Sequence, residues 1–106
     1  MDTCLDMQAT LDAGRNTAHS AFGRCRESAQ NECPGWNSTE RVIVGCTDLM
    51  WGEGPPPAGT PCGGGTTCYS QHGHYINMTS AGYHRMSVGF FRTSGTTYWS
   101  LQDFWP

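Results

Sequence analysis

Residues 72–104, HGHYINMTSAGYHRMSVGFFRTSGTTYWSLQDF, decide how this chain folds. The second half of the stretch alternates: Met86, Val88 and Phe90 fall on one side of an extended chain, and Ser87, Gly89 and Phe91 on the other. Thr93-Ser94-Gly95-Thr96 supplies a turn before the chain returns, so the pattern predicts an antiparallel hairpin near 86–92 and 97–104. The first half carries Gly73-His74-Tyr75 and is expected to enter the same sheet, with strand alternation from Tyr75 onward. On a strand, His72 and His74 are two apart and project from one face. Imidazole is a ligand, a proton carrier and a polar cleft-liner near neutral pH. The tripeptide therefore marks a candidate site, and the hairpin is its mount.

Upstream, the spacing changes from two to three and four. Thr3-Cys4-Leu5-Asp6 has the form of a capping box, and Leu5, Ala9, Leu11 and Ala13 follow as a short apolar stripe, predicting a helix near 4–13. Gly14 is a stop signal, and His19 lies at the exit. Residues 20–37 hold two cysteines, Gly23, Pro34 and Gly35 without a clean period, and read as irregular. Asn37 and Glu40 stand at capping distance before Val42, Cys46, Leu49 and Met50, predicting a second helix over 39–51. Residues 52–67 then carry four of the six prolines and six of the fourteen glycines, which excludes regular structure there. Helices early and antiparallel strands late give an α+β fold in one domain spanning 1–106.

Composition excludes some functions. The net charge is −3, the chain has no lysine, and Arg15, Arg24, Arg26, Arg41, Arg85 and Arg92 are scattered along it. A nucleic-acid surface or a polybasic membrane patch would need clustered cations. No apolar run is long enough for a transmembrane segment.

Six cysteines in so short a chain point to disulfides and an oxidising compartment. Structural zinc sites use closely paired cysteines, whereas seven residues separate Cys25 from Cys33 and five separate Cys62 from Cys68. All six are expected to pair. Cys62–Cys68 is the favoured local bridge and Cys25–Cys33 the next, which leaves Cys4–Cys46 by elimination. The expected location is secreted, extracellular or periplasmic. The chain opens Met-Asp-Thr-Cys, without the basic and apolar regions of a signal peptide.

His19 leaves one helix, Glu53 ends another, and His74 follows the loop. If these meet, two imidazoles and a carboxylate form a set suited to zinc or a similar divalent ion. Each also has a plainer role open to it. His19 can cap helix carbonyls, His74 can be a buried packing residue, and Glu53 can be solvated. His72 and His84 read as surface. The tryptophans and tyrosines are too many to be all solvated, so most are expected in the core. Asn37-Ser38-Thr39 and Asn77-Met78-Thr79 match the glycosylation sequon.

Several of these residues, in order, resemble the CAP superfamily (cysteine-rich secretory, antigen 5 and pathogenesis-related proteins; SCP-like domains). Gly73-His74-Tyr75, Asn77, Tyr83 and Ser87-Val88-Gly89-Phe90 are similar to the family's GHxxN…Y…GxG core. Tyr98-Trp99 with Gln102-Asp103-Phe104 resembles its terminal YWxQxF strand, with Leu101 extra. Ala18-His19, Gln30-Asn31, and Trp51 with Glu53 resemble its upstream signatures. The resemblance implies an α-β-α sandwich around a small, mainly antiparallel sheet, here lacking the usual first helix. It also implies a central cleft lined by His19, Gln30, Glu53 and His74, with His19, His74 and Glu53 as metal ligands. Asn31, Trp51, Tyr75, Asn77, Tyr98 and Trp99 would be its structural motif residues. Gln30 stands where many members have an acid, which lowers the expected metal affinity. The implied function is recognition of a lipid, sterol, peptide or cell-surface ligand. The alternative is a metal-dependent hydrolase using the same cleft. No serine lies in a Gly-x-Ser-x-Gly context, so no serine nucleophile is indicated.

Overall fold

The computed structural model describes residues 3–95 and 97–106. Helix α1 (Thr3–Arg15) leads to strand β1 (Ala29–Trp36). A second helix, α2, runs over residues 39–52, and α3 spans Thr67–Thr79. Strands β2 (Arg85–Arg92) and β3 (Tyr98–Trp105) complete the chain. The three strands lie in the order β1-β3-β2 and both pairings are antiparallel. The class is α+β.

The hairpin forms as the alternation requires. β2 and β3 pair from Arg85↔Trp105 to Arg92↔Tyr98, and Thr93 N–H donates to the Thr97 carbonyl at 2.9 Å. Thr96, in the expected turn, lies outside the described residues. Alternate residues feed two cores on opposite faces of the sheet. Trp99 and Leu101 of β3 pack with Leu5 and Ala9 of α1, and Phe91 joins them. Phe90 and Tyr98 face the other way, against Cys33, Val42, Cys46 and Met50. Burial of each large side chain contributes about 1.5–3 kcal/mol.

Gly89 sets how closely α1 lies on the sheet. A Cβ there would sit 2.6 Å from the Leu5 Cβ and 2.5 Å from the Leu5 carbonyl carbon, so only glycine fits. On the same edge strand, the Phe90 N–H donates to Asp6 Oδ1 at 2.9 Å. Asp6 thus satisfies a sheet-edge amide. It does not close the expected capping box, since Thr3 is already helical.

Four expectations need correction. First, residues 29–36 form a strand, which its composition hides: Gln30, Asn31 and Glu32 are buried polar residues, and Pro34 falls at the bulge between Cys33 and Trp36. Second, His74 and Tyr75 lie on helix α3, not on a strand. Thr66 caps that helix by accepting the Tyr69 N–H through its hydroxyl, which starts it before the histidines. His72 and His74 therefore point about 200° apart around it, and His72 is half-buried, donating Nδ1–H to the Gly54 carbonyl.

Third, α2 is capped by Ser38, one residue later than expected, and Val42–Thr47 winds as a π-helix. The wider turn keeps Val42, Cys46 and Met50, four apart, on the buried face. Leu49, three from Cys46, falls off that face and is 68% exposed. Trp51 is exposed too, its ring tilted at 42° against Tyr75 with centroids 4.8 Å apart.

Fourth, two of the three disulfides differ. Cys62–Cys68 is bridged, but Cys4 joins Cys25, and Cys33 joins Cys46. The strand carries Cys33 away from Cys25, so the expected Cys25–Cys33 and Cys4–Cys46 bridges do not form. Instead one bridge ties α1 to the following turn, and the other ties β1 to α2. No described cysteine is free. Among the described residues, no helix is long and apolar enough to cross a membrane.

Candidate functional site

His19, Gln30, Tyr69, Ser70, Gly73, His74 and Asn77 line one cleft of about 210 Å³. It lies where the turn after α1, strand β1 and helix α3 meet. His19, Gln30 and His74 of the expected set face it. Glu53 stands behind His74.

His74 is held from its back side. Its Nδ1–H donates to Glu53 Oε1 at 2.6 Å, and the N–H groups of His74 and Tyr75 donate to Glu53 Oε2 at 3.0 and 3.2 Å. Both Glu53 oxygens are engaged, so Glu53 orients the imidazole instead of standing beside it as a third ligand. Asn31, fully buried on β1, donates to the His74 carbonyl and to Gln102 Oε1, each at 3.2 Å. Its own Oδ1 accepts from Asn77 Nδ2 at 2.9 Å. These two asparagines fasten α3 to the sheet. The Asn77 sequon is buried in this clamp, whereas Asn37 is exposed.

His19 is held differently. Its backbone is left-handed (φ 62°), a conformation that disfavours a side chain with a Cβ. The surrounding turn is pinned by buried acids. Asp12 Oδ1 accepts the Ser20 hydroxyl at 2.5 Å and the Ala21 N–H at 2.8 Å, while Glu32 Oε1 accepts the His19 N–H at 3.0 Å. The ring Nδ1–H donates to Gln30 Oε1 at 2.7 Å. Gln30 Nε2 donates in turn to Asp103 Oδ1 at 2.9 Å, which fixes the amide with its oxygen toward His19.

Asp12 and Asp103 are fully buried and Glu32 nearly so. Burial pushes the Glu32 carboxyl up to about 8, helped by its hydrogen bond to Asp12 and by the nearby Asp12 and Asp103 charges; its bond from the His19 N–H opposes the rise. At neutral pH Glu32 is therefore a neutral acid. Its Oε2 and Asp12 Oδ2 are buried without another donor, and the proton that Glu32 carries makes its hydrogen bond to Asp12. The 3.9 Å approach of His19 Nδ1 to Glu32 Oε1 is accordingly not a charged pair.

The result is two imidazoles with the same tautomer. Each Nδ1–H is committed to an oxygen acceptor, and neither Nε2 has a protein partner among the described residues. The side chains are 45% and 38% exposed for His19 and His74. Lone-pair nitrogens on two fixed rings lining one small cleft suit a divalent ion or a ligand that donates hydrogen bonds. The three-ligand set His19–His74–Glu53 is not assembled. Among the described residues, the one trio with ligand atoms within 4.8 Å of one another is Cys25, Glu27 and Asp103. Cys25 is in a disulfide and has no thiolate to offer.

Sequence reasoning missed the roles of Asp12, Glu32 and Asp103. The signal was present in the two-residue spacing of Gln30 and Glu32, which puts both on one face once 29–36 is a strand. Tyr69 and Ser70 become visible once α3 is a helix. The chain matches no family model, no curated protein and no solved structure.

Proposed function

We propose that this chain is a CAP-like recognition module of an oxidising, extracytoplasmic compartment, and that its cleft binds a small ligand or a divalent ion such as zinc on His19 and His74, without turnover. The observation that carries the reading is the paired anchoring of the two Nδ1 atoms, which leaves both Nε2 atoms available in one cleft. Three disulfides support the compartment. Cores on both faces of the sheet, α1 on one and α2 on the other, support the α-β-α layering that the CAP resemblance implies. Zinc would take imidazole nitrogens from His19 and His74 at about 2.0 Å and fill its remaining positions with water or ligand. With two protein ligands and Gln30 in place of an acid, the affinity is modest.

Hydrolysis ranks second, because Glu53 is occupied by three donors and no other described carboxylate lines the cleft to act as a base. Calorimetric titration with zinc tests the reading. His19→Ala and His74→Ala should each weaken binding at least about tenfold, and Glu53→Gln by roughly tenfold through loss of ring orientation. Binding unaffected by either histidine substitution would remove the cleft as the site. Zinc-dependent turnover in a peptide and ester screen, lost in His74→Ala, would assign an enzyme instead.

A further inference from the structure

A second groove, of about 1040 Å³, lies where β2 begins and β3 ends, and it shares no lining residue with the histidine cleft. Arg26, Ser28, His84, Arg85, Ser87 and Trp105 line it, along with Cys25, Met86 and Pro106. Arg26 and Arg85 are far apart in sequence. The antiparallel register brings them together, because Arg85 pairs with Trp105 while Ser28 N–H donates to the Phe104 carbonyl. In a chain of net charge −3 with six basic side chains, two arginines and a histidine share one groove that no acid lines.

The cations are held in place but not neutralised. Arg26 has a left-handed backbone (φ 60°), where glycine is favoured, yet the sequence keeps a long cation there. Its turn is pinned by Glu27, which accepts the N–H groups of Gly23 and Cys25, and by the Cys4–Cys25 bridge. Trp105 Nε1 donates to the Cys25 carbonyl at 3.2 Å, fixing the indole, and the Arg85 guanidinium lies 5.7 Å from its ring centroid. Among the described residues neither guanidinium is in an ion pair with a carboxylate.

We propose that this groove binds a tetrahedral oxyanion, the phosphate or sulfate ester group of a small molecule or saccharide. Two guanidiniums supply forked donors to its oxygens, and the imidazole and two hydroxyls supply further ones. Glu27 and Asp103 lie buried behind the groove, so the affinity is modest and falls with salt.

The test is a two-dimensional NMR titration of the oxidised protein with glucose 6-phosphate, glucose 6-sulfate and glucose, each at an ionic strength fixed with chloride. Saturating shifts are expected for one or both esters at Arg26, Ser28, Arg85, Ser87 and the Trp105 indole N–H, with none for glucose. If only one ester saturates, that ester names the source. Arg26→Gln and Arg85→Gln should each weaken binding roughly threefold to tenfold, and the pair should abolish it. Arg92→Gln carries the same charge change on the other side of the hairpin, on the Tyr98 ring, and should leave binding within twofold. All three arginines are exposed, and retained amide dispersion checks the fold. Shifts that fail to saturate with both esters, equal shifts with glucose, or an equal loss in Arg92→Gln would overturn the proposal.

Discussion

The two histidines of the cleft are fixed by opposite means. His74 rides on a regular helix, and one carboxylate, Glu53, gathers its ring and two backbone N–H groups at the half-exposed rim. His19 sits on an irregular left-handed turn that has no ladder to hold it, so buried acids do the holding: Asp12, Glu32 and, through Gln30, Asp103. A helix supplies position through its own hydrogen bonds and needs little more than orientation. A turn must import its order from tertiary contacts, and here those contacts place neighbouring carboxyls in a desolvated core. The His74 mount should therefore be robust and the His19 mount sensitive to substitution and to pH.

The largest break in that comparison is Asp12→Ala. It removes two bonds to the 20–21 turn in a fully buried setting, and each bond to a charged group contributes about 1.5–3 kcal/mol. Urea unfolding should show a loss of about 3 kcal/mol or more. The amide shifts of residues 17–23 should move far more than those of α3.

Next is the pH dependence. The Glu32 carboxyl is raised in the folded state to about 8, from 4.5, so between these values the folded state holds a proton that the unfolded chain has released. Stability from this group is full below about pH 4.5, falls as pH rises, and is lost above about 8. The loss between pH 5 and pH 8 should be on the order of 3 kcal/mol, read as a falling midpoint in urea. Glu32→Gln, which keeps an oxygen for the His19 N–H and a donor for Asp12, should flatten that slope. An unchanged slope would mean that Glu32 does not hold that proton.

Glu53→Ala is a smaller break. It should cost about 1–2 kcal/mol at its partly exposed position and free the His74 ring, with the His19 resonances unmoved. The smallest effect is expected for Leu49→Ser, within about 0.5 kcal/mol by thermal melting. The apolar spacing in the sequence assigns Leu49 to the core, and the π-helical turn puts it outside.

These effects follow how legible each region was. The hairpin was readable because Phe90 and Phe91 serve cores on opposite faces, which gives alternation an energetic reason. Helix α1 was readable from Leu5 and Ala9. Strand β1 was not, because its buried side chains are Gln30, Asn31 and Glu32, whose interior position depends on partners from α1, α3 and β3 that no local pattern displays. Helix α3 was misread because it buries Cys68, Gly73 and Asn77, not an apolar stripe, and its Thr66 cap follows a glycine run. Of the candidate site, His19, Gln30 and His74 were visible as motif residues. That Glu53 is an orienting group, and that Asp12 and Glu32 support His19, depends on distances only tertiary structure sets.

The central claim is that both rings are locked as Nδ1–H tautomers with Nε2 open to one cleft. Long-range proton–nitrogen NMR of the imidazoles at pH 7, before and after zinc addition, tests it directly. The account predicts a hydrogen on Nδ1 of both His19 and His74, with both Nε2 signals moving together as zinc is added and those of His72 and His84 staying put. Nε2–H tautomers at either residue, or zinc shifts confined to one of the two, would contradict it.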